Sequence, residues 1–187
     1  MHFLTPLLPL LLSIALPATS TALPPRIAST ALPPRSANAV YNDILGIHYA
    51  VLNLTSAVTA YQGGIQQASP VFSASLAVHA VNRRGYADAV SSTPFSAADS
   101  QRIADAVTST VAISIPASVK VLEAKKPLFD AAEISSLVLS TIELLKYDHE
   151  SFSAATAAKL TAALVEATAG AGIVEAALVE AVAYYSL

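Results

Sequence analysis

Between Val40 and Tyr61 the large apolar residues fall at Val40, Ile44, Ile47, Val51, Leu54, Val58 and Tyr61, spaced 4, 3, 4, 3, 4 and 3. That alternation puts every one of them on a single face of a 3.6-residue helix, whereas a strand would need alternation in twos. Such a helix is marginal alone in water, and its stripe must be buried against other stripes. The rest of the chain supplies them. Gly63-Gly64 ends the first helix, and Ser69-Pro70 opens a second that carries Phe72, Leu76 and His79 and is expected to break near Gly85. Ser91-Ser92-Thr93-Pro94 reads as a loop. Ser96 and Asp99 then resemble a capping box, with Asp in place of Glu or Gln, ahead of a helix carrying Ile103, Val107 and Val111.

Pro116 is expected to kink or split that third helix. The next piece carries Val119 and Leu122, and Lys125-Lys126-Pro127 closes it. A long helix follows, with Ile134, Val138, Ile142, Leu145, His149 and Phe152 on one stripe. Another runs from Ala155 to Ala169 with Leu160 and Leu164, and Gly170-Ala171-Gly172 is expected to break it. Val174, Leu178, Val182 and Tyr185 mark a last short helix. No alternating pattern exceeds a few residues. The reading is all-α: an antiparallel bundle of five or six amphipathic helices over 39–187.

Two segments precede the bundle. Residues 1–22 hold an apolar run, Leu7–Leu16, followed by small residues, which reads as a secretory signal peptide. Cleavage after Ser20 or Ala22 fits, and Ala22 is preferred. The run is too short to span a bilayer, so no transmembrane segment is expected in the mature protein. Residues 23–38 are Pro-rich: Thr21–Arg26 recurs as Thr30–Arg35, each copy ending Pro-Pro-Arg. This leader is expected to be disordered, a spacer or a pro-segment trimmed after Arg26 or Arg35.

Secretion usually goes with disulfides, yet the chain has no cysteine, so every disulfide scaffold is excluded. About 165 residues remain after cleavage, enough for one domain without a staple. Charged residues are 12% of the chain, about half the usual level of roughly 25%. The surface is therefore Ala-, Ser- and Thr-rich and suited to contact with apolar material. A net charge of −3 argues against nucleic acid.

No motif for chemistry emerges. His149-Glu150 begins like a zinc-protease helix but lacks the second histidine one turn on. There is no nucleophile elbow, phosphate loop or dinucleotide fingerprint, and no catalytic residue, metal site or cofactor is expected. His79 and His149 fall on apolar stripes. Each reads either as a core histidine with a satisfied hydrogen bond or as a polar group orienting a lipid carboxylate. Asn53-Leu54-Thr55 is a glycosylation sequon, and Asn53 points away from the stripe. Arg83-Arg84 reads as a solvated helix end rather than a processing site, and Lys125-Lys126 as cations complementing a helix C-terminus.

Several residues in order carry a resemblance over Asn38–Tyr185: Tyr61-Gln62-Gly63-Gly64, the helix start at Ser96–Asp99, Val121–Phe129 with Lys125-Lys126, Leu137–Leu139, and Leu144-Leu145-Lys146. In these the chain resembles the fungal hydrophobic surface-binding protein A family, which includes cell-wall galactomannoprotein antigens. The resemblance implies a secreted or wall-associated, non-enzymatic helical bundle that binds apolar surfaces or encloses a fatty acid. It also implies a secreted polymer-degrading enzyme as a partner. The alternative is a structural wall mannoprotein or antigen with no small ligand. There is no Ser/Thr-rich stalk, and 171–187, with Glu175 and Glu180, does not read as a lipid-anchor signal.

If an acyl chain lies inside, Val51, Leu54, Val58, Leu76, Val107, Val138, Ile142 and Leu145 are expected to line it, with His79 or His149 meeting the carboxylate. At about 0.8 kcal/mol per buried methylene, a long chain reaches micromolar affinity after ordering costs, without a strong polar anchor. N-terminal sequencing of secreted protein should return Leu23, or Ile27 or Ser36 where the leader is trimmed at arginine; a start at Met1 would refute secretion through this signal.

Overall fold

A computed structural model describes residues 36–187; the segment expected to be a signal peptide and the Pro-Pro-Arg repeats lie outside the described residues. Helix α1 (Ala37–Ala60) buries Val40, Ile44, Ile47, Val51 and Val58, the face that its spacing requires. It ends at Tyr61, and the chain turns through Gly63 and Gly64 at φ 108° and 81°, a region costly for residues with a Cβ. After a 3₁₀ turn, Ile65–Ala68, helix α2 (Ser69–Ser91) starts with proline in its first turn. Helix α3 (Ala97–Ala124) is capped as expected: the Asp99 backbone N–H donates to Ser96 Oγ at 3.1 Å. Helix α4 (Lys126–Ala131) is a single short piece, and α5 (Ser135–Ala157) and α6 (Leu164–Tyr185) are long. There is no strand among the described residues, and the chain is the all-α bundle that the stripes predict.

The long helices alternate in direction along the chain and close into a ring in the spatial order α1, α2, α5, α6, α3. Named contacts fix the directions. Arg84 reaches back to Asp43, so α2 runs against α1. His79 meets Asp148 and Lys159 meets Val90, so α5 runs with α2. His149 meets Ala171 and Lys146 meets Glu175, so α6 runs against α5. Gln101 meets Glu166 and Lys120 meets Glu180, so α3 runs with α6. His48 meets Ser114 and Lys125 meets the Tyr61 carbonyl, so α3 also runs with α1. By length and composition α3 is apolar enough to cross a bilayer. In the fold it is one wall of the ring, packed between α1 and α6.

Two expected breaks do not occur where the glycines stand. Helix α2 continues through Gly85, where a Cβ would stand 2.8 Å from Cζ of Phe152, so this glycine serves close approach. Helix α6 continues through Gly170 and Gly172. A Cβ at Gly170 would stand 2.8 Å from Val107 Cγ1 and 3.1 Å from Thr108 Cγ2, whereas one at Gly172 meets nothing. The chain turns instead at 158–163, where Ala163 takes φ 54°. That turn is tied down by the Phe95 N–H donating to the Lys159 carbonyl at 2.8 Å and by Thr161 Oγ1 donating to the Phe95 carbonyl at 2.8 Å.

Pro116 sits inside α3 without splitting it. A π-helical turn, Val107–Val111, precedes it. Such a turn loosens the hydrogen-bond ladder, and it accommodates a register change that a regular helix cannot. Here the hydroxyls of Thr108, Ser109 and Thr110 donate to the carbonyls of Ala104, Asp105 and Ala106. The wide turn is thus braced by side-chain hydroxyls and received by Gly170 on the neighbouring helix.

These two glycines give opposite outcomes for the same substitution. Gly170→Ala should destabilise by about 1–3 kcal/mol through overpacking against the π turn. Gly172→Ala should stabilise by about 0.5–1 kcal/mol, because alanine removes backbone entropy from the unfolded chain. Thermal melts of the two variants beside the parent protein check the sign of each.

Candidate functional site

Four facing helices fill their own axis with side chains; a ring of five opens a lumen. Here it is a cavity of about 300 Å³, at the lower end of the roughly 300–1,000 Å³ typical of small-molecule sites. Every long helix supplies wall. Helix α1 gives Ile44, Ile47, Val51 and Leu54; α2 gives Val78 and Asn82; α3 gives Val107, Val111, Ile115 and Val119; α5 gives Ile142, Leu145, His149 and Phe152; α6 gives Val174 and Leu178. No residue on the wall carries a formal charge. At roughly 24 cal/mol per Å³ of void, a lumen of this size costs on the order of 7 kcal/mol relative to a packed core. That rivals the whole stability of an ordinary domain.

The polar groups on the wall are neutral and mostly committed. Asn82 Nδ2 donates to the Val78 carbonyl at 3.1 Å. His149 Nε2 lies 3.1 Å from the Ala171 carbonyl, which can only accept, so Nε2 carries the proton. Nδ1 then accepts from the Ser153 hydroxyl at 3.3 Å. Burial pushes the His149 pKa down, and the Ala171 carbonyl and the nearby Glu175 and Glu150 oppose this only in part, so the ring is neutral near pH 7. Thr168 donates to the Leu164 carbonyl. Thr156 Oγ1 is buried with no hydrogen-bond partner.

The structure sorts the residues expected to line an acyl chain. Val51, Leu54, Val107, Ile142, Leu145 and His149 are on the wall. Val58 and Val138 are buried but belong to a second apolar cluster around Tyr61 and Phe129, whose rings stack at 4.5 Å between centroids. Leu76 is 61% exposed, and His79 lies outside the cavity with Nδ1 2.5 Å from Asp148 Oδ2. Both line a groove on the outer side of α2 and α5 with Phe72, Leu137 and Leu144. The misplacement has one cause. The fully buried face of α2 is Val71, Ala74, Ser75, Val78, Asn82, Gly85, Asp88 and Ala89, which carries no apolar residue larger than valine, and Leu76 faces outward.

Ile44 and Ile47 shared the α1 stripe and were readable as wall residues. Asn82 and Thr156 are polar, so a reading of apolar stripes passes over them, although Thr156 continues the α5 spacing four residues after Phe152. Asn53 is exposed on α1, and the Thr55 hydroxyl of its sequon donates to the Val51 carbonyl at 2.8 Å. Arg83-Arg84 lies within α2 rather than at its end. Arg84 Nε donates to buried Asp43 at 2.6 Å; burial raises the Asp43 pKa, and Arg84 pulls it back. Lys125 Nζ donates to the Tyr61 carbonyl at 2.7 Å, so this cation caps the C-terminus of α1.

Three solved structures share this architecture. Afmp4p in complex with palmitic acid is 26% identical, with a TM-score of 0.77, covering 80% of this chain and 99% of that chain. Ligand binding domain 1 of the Penicillium marneffei MP1 protein, complexed with arachidonic acids, is 18% identical at a TM-score of 0.75, covering 82% and 100%. Ligand binding domain 2 of the same protein, complexed with multiple arachidonic acids, is 16% identical at 0.75, covering 81% and 97%. No curated protein sequence matches the chain significantly. Residues 37–158 match the family described as hydrophobic surface binding protein A, so the chain belongs to that family.

Proposed function

We propose that this chain is a secreted, non-enzymatic lipid binder that holds a long acyl chain in the lumen of its helical ring. The observation that carries the reading is the cavity itself: 300 Å³, walled by all five long helices and free of formal charge. A purely structural wall protein gains nothing from a lumen this costly, so the alternative of a packed mannoprotein has less support. The likeness to Afmp4p, solved with palmitic acid, supports a fatty acid of that length as ligand.

Attraction to apolar surfaces belongs to the same reading. Leu76, Leu137 and Leu144 stand exposed along the outer groove, which gives the bundle an apolar exterior patch beside its apolar interior. Association with the cell wall, sugar at Asn53 and recruitment of a polymer-degrading enzyme are parts of the proposal that rest on family membership and on the exposed sequon.

Titrating delipidated protein with a fluorescent long-chain fatty acid should give saturable binding at micromolar Kd or below, displaced by palmitate. Leu54→Trp, which projects a larger ring into the lumen, should weaken this binding at least tenfold while helical circular dichroism is retained. Leu76→Trp, on the outer face, should leave it unchanged. A flat titration of the parent protein, or equal loss from both variants, would overturn the interior site.

A further inference from the structure

A chain held in the lumen needs a way in, and both ends of the ring are shut. One end is filled by the apolar cluster around the stacked rings of Tyr61 and Phe129. The other lies under the 158–163 turn. There the Thr161 N–H donates to Ser100 Oγ at 3.1 Å, and Thr161 Oγ1 donates to the Phe95 carbonyl at 2.8 Å. What remains is the seams between neighbouring helices. Asp43 and Arg84 bridge α1 and α2, and a Cβ on Gly46 already stands 3.1 Å from Val81 Cγ1. His79 and Asp148 bridge α2 and α5, and Phe152 packs onto Gly85 beyond them. Gln101–Glu166, the Gly170 contact and Lys120–Glu180 follow one another along α3 and α6. Arg102 stacks on Tyr41, and His48 meets Ser114, between α3 and α1.

The seam between α5 and α6 differs. Lys146–Glu175 and the His149–Ala171 bond close one part of it. From residue 151 to the turn, no hydrogen bond or ion pair crosses it among the described residues. On the whole cavity wall, the exposed residues are Ala154 and Thr168, one on each side of this unbridged stretch. Ser153, Ala157 and Ala171 stand half-buried on the wall beside them. A wall residue that also meets solvent marks where a lumen reaches the surface. The rim carries nothing larger than threonine, so a polymethylene chain meets little bulk there. Parting the helices at this stretch breaks no polar bond, which makes it the cheapest local opening in the ring.

We propose that an acyl chain enters and leaves the lumen sideways, through the α5–α6 seam between the His149–Ala171 bond and the 158–163 turn. The inference rests on the interior lipid site proposed above and adds the route to it. Ala154 and Thr168 form the lips of the opening. Bulk placed on a lip raises the barrier that the chain crosses in both directions and leaves the seated state nearly untouched. Association and release then slow by the same factor, and Kd stays in place.

The chain has no cysteine, so Thr168→Cys gives the folded protein a single thiol at an exposed position. Benzyl methanethiosulfonate adds a ring there through a disulfide that dithiothreitol removes. Ser56→Cys on α1 is the control: Ser56 is exposed and donates to the carbonyl one turn back, as Thr168 does. Delipidated proteins, checked for helical circular dichroism, are mixed by stopped flow with cis-parinaric acid, a fluorescent long-chain fatty acid. The ring on Thr168→Cys should slow association and release alike by about tenfold or more, move Kd by less than about threefold, and lose its effect in dithiothreitol. The ring on Ser56→Cys should leave both rates within about twofold of the unlabelled variant. Unchanged rates in labelled Thr168→Cys, or equal slowing in labelled Ser56→Cys, would overturn the route. So would a change confined to release and Kd, which would seat Thr168 against the bound chain. Each of these leaves the interior site standing, whereas no binding of cis-parinaric acid to the unlabelled parent overturns that site and the route with it.

Discussion

The structure depends on a ring of five helices closing where four would have packed solid. Each long helix must present an inward stripe to a lumen rather than to one opposing helix, and each must also seal two seams with its neighbours. The seams are where close approach is demanded. At Gly170 the backbone of α6 meets the π turn of α3, and at Gly85 the backbone of α2 meets the ring of Phe152. Both glycines remove a side chain so that two walls can touch without either collapsing inward. The large aliphatic residues are then free to face the lumen.

Charge is distributed by the same logic. The buried carboxylates Asp43 and Asp148 are compensated by Arg84 and by His79 and Arg83, all on α2. These pairs sit in the α1–α2 and α2–α5 seams and leave the lumen without formal charge. Helix α2 thus spends its buried face on small residues and polar bracing. That makes it the least hydrophobic wall of the ring and explains why its leucine faces water.

Much of this was legible in the sequence. The α1 stripe from Val40 to Val58, the cap at Ser96 and the start at Ser69-Pro70 are all where spacing and local chemistry put them. The helix breaks were not, for a definite reason. Gly85, Gly170 and Gly172 look the same in sequence whether a glycine ends a helix or admits a neighbour, and only the neighbour decides. The real turn at 158–163 is Ala-Lys-Leu-Thr-Ala-Ala, whose composition favours helix, and it is held by bonds to Phe95 and Ser100 some 60 residues earlier. On the wall, Leu54, Ile142 and Leu145 were readable because they sit on apolar periods. Leu76 was misassigned because the same rule fails on a helix that buries small residues. Thr156 continues the α5 spacing four residues after Phe152 but is polar, so a reading of apolar stripes stops short of it.

No seam of the ring is covalent, for the chain has no cysteine. Every wall therefore contributes to folding and to enclosure through the same contacts, and the two free energies are linked. A ligand that fills the lumen touches all five long helices at once and binds only the closed ring, so it stabilises the fold by mass action. At a free concentration one hundred times its Kd, the linkage amounts to about 2.7 kcal/mol. For a domain of this size that corresponds to a rise of roughly 5–10 °C in melting temperature. The midpoint of thermal unfolding thus becomes a gauge of how much of the protein carries a ligand in its lumen.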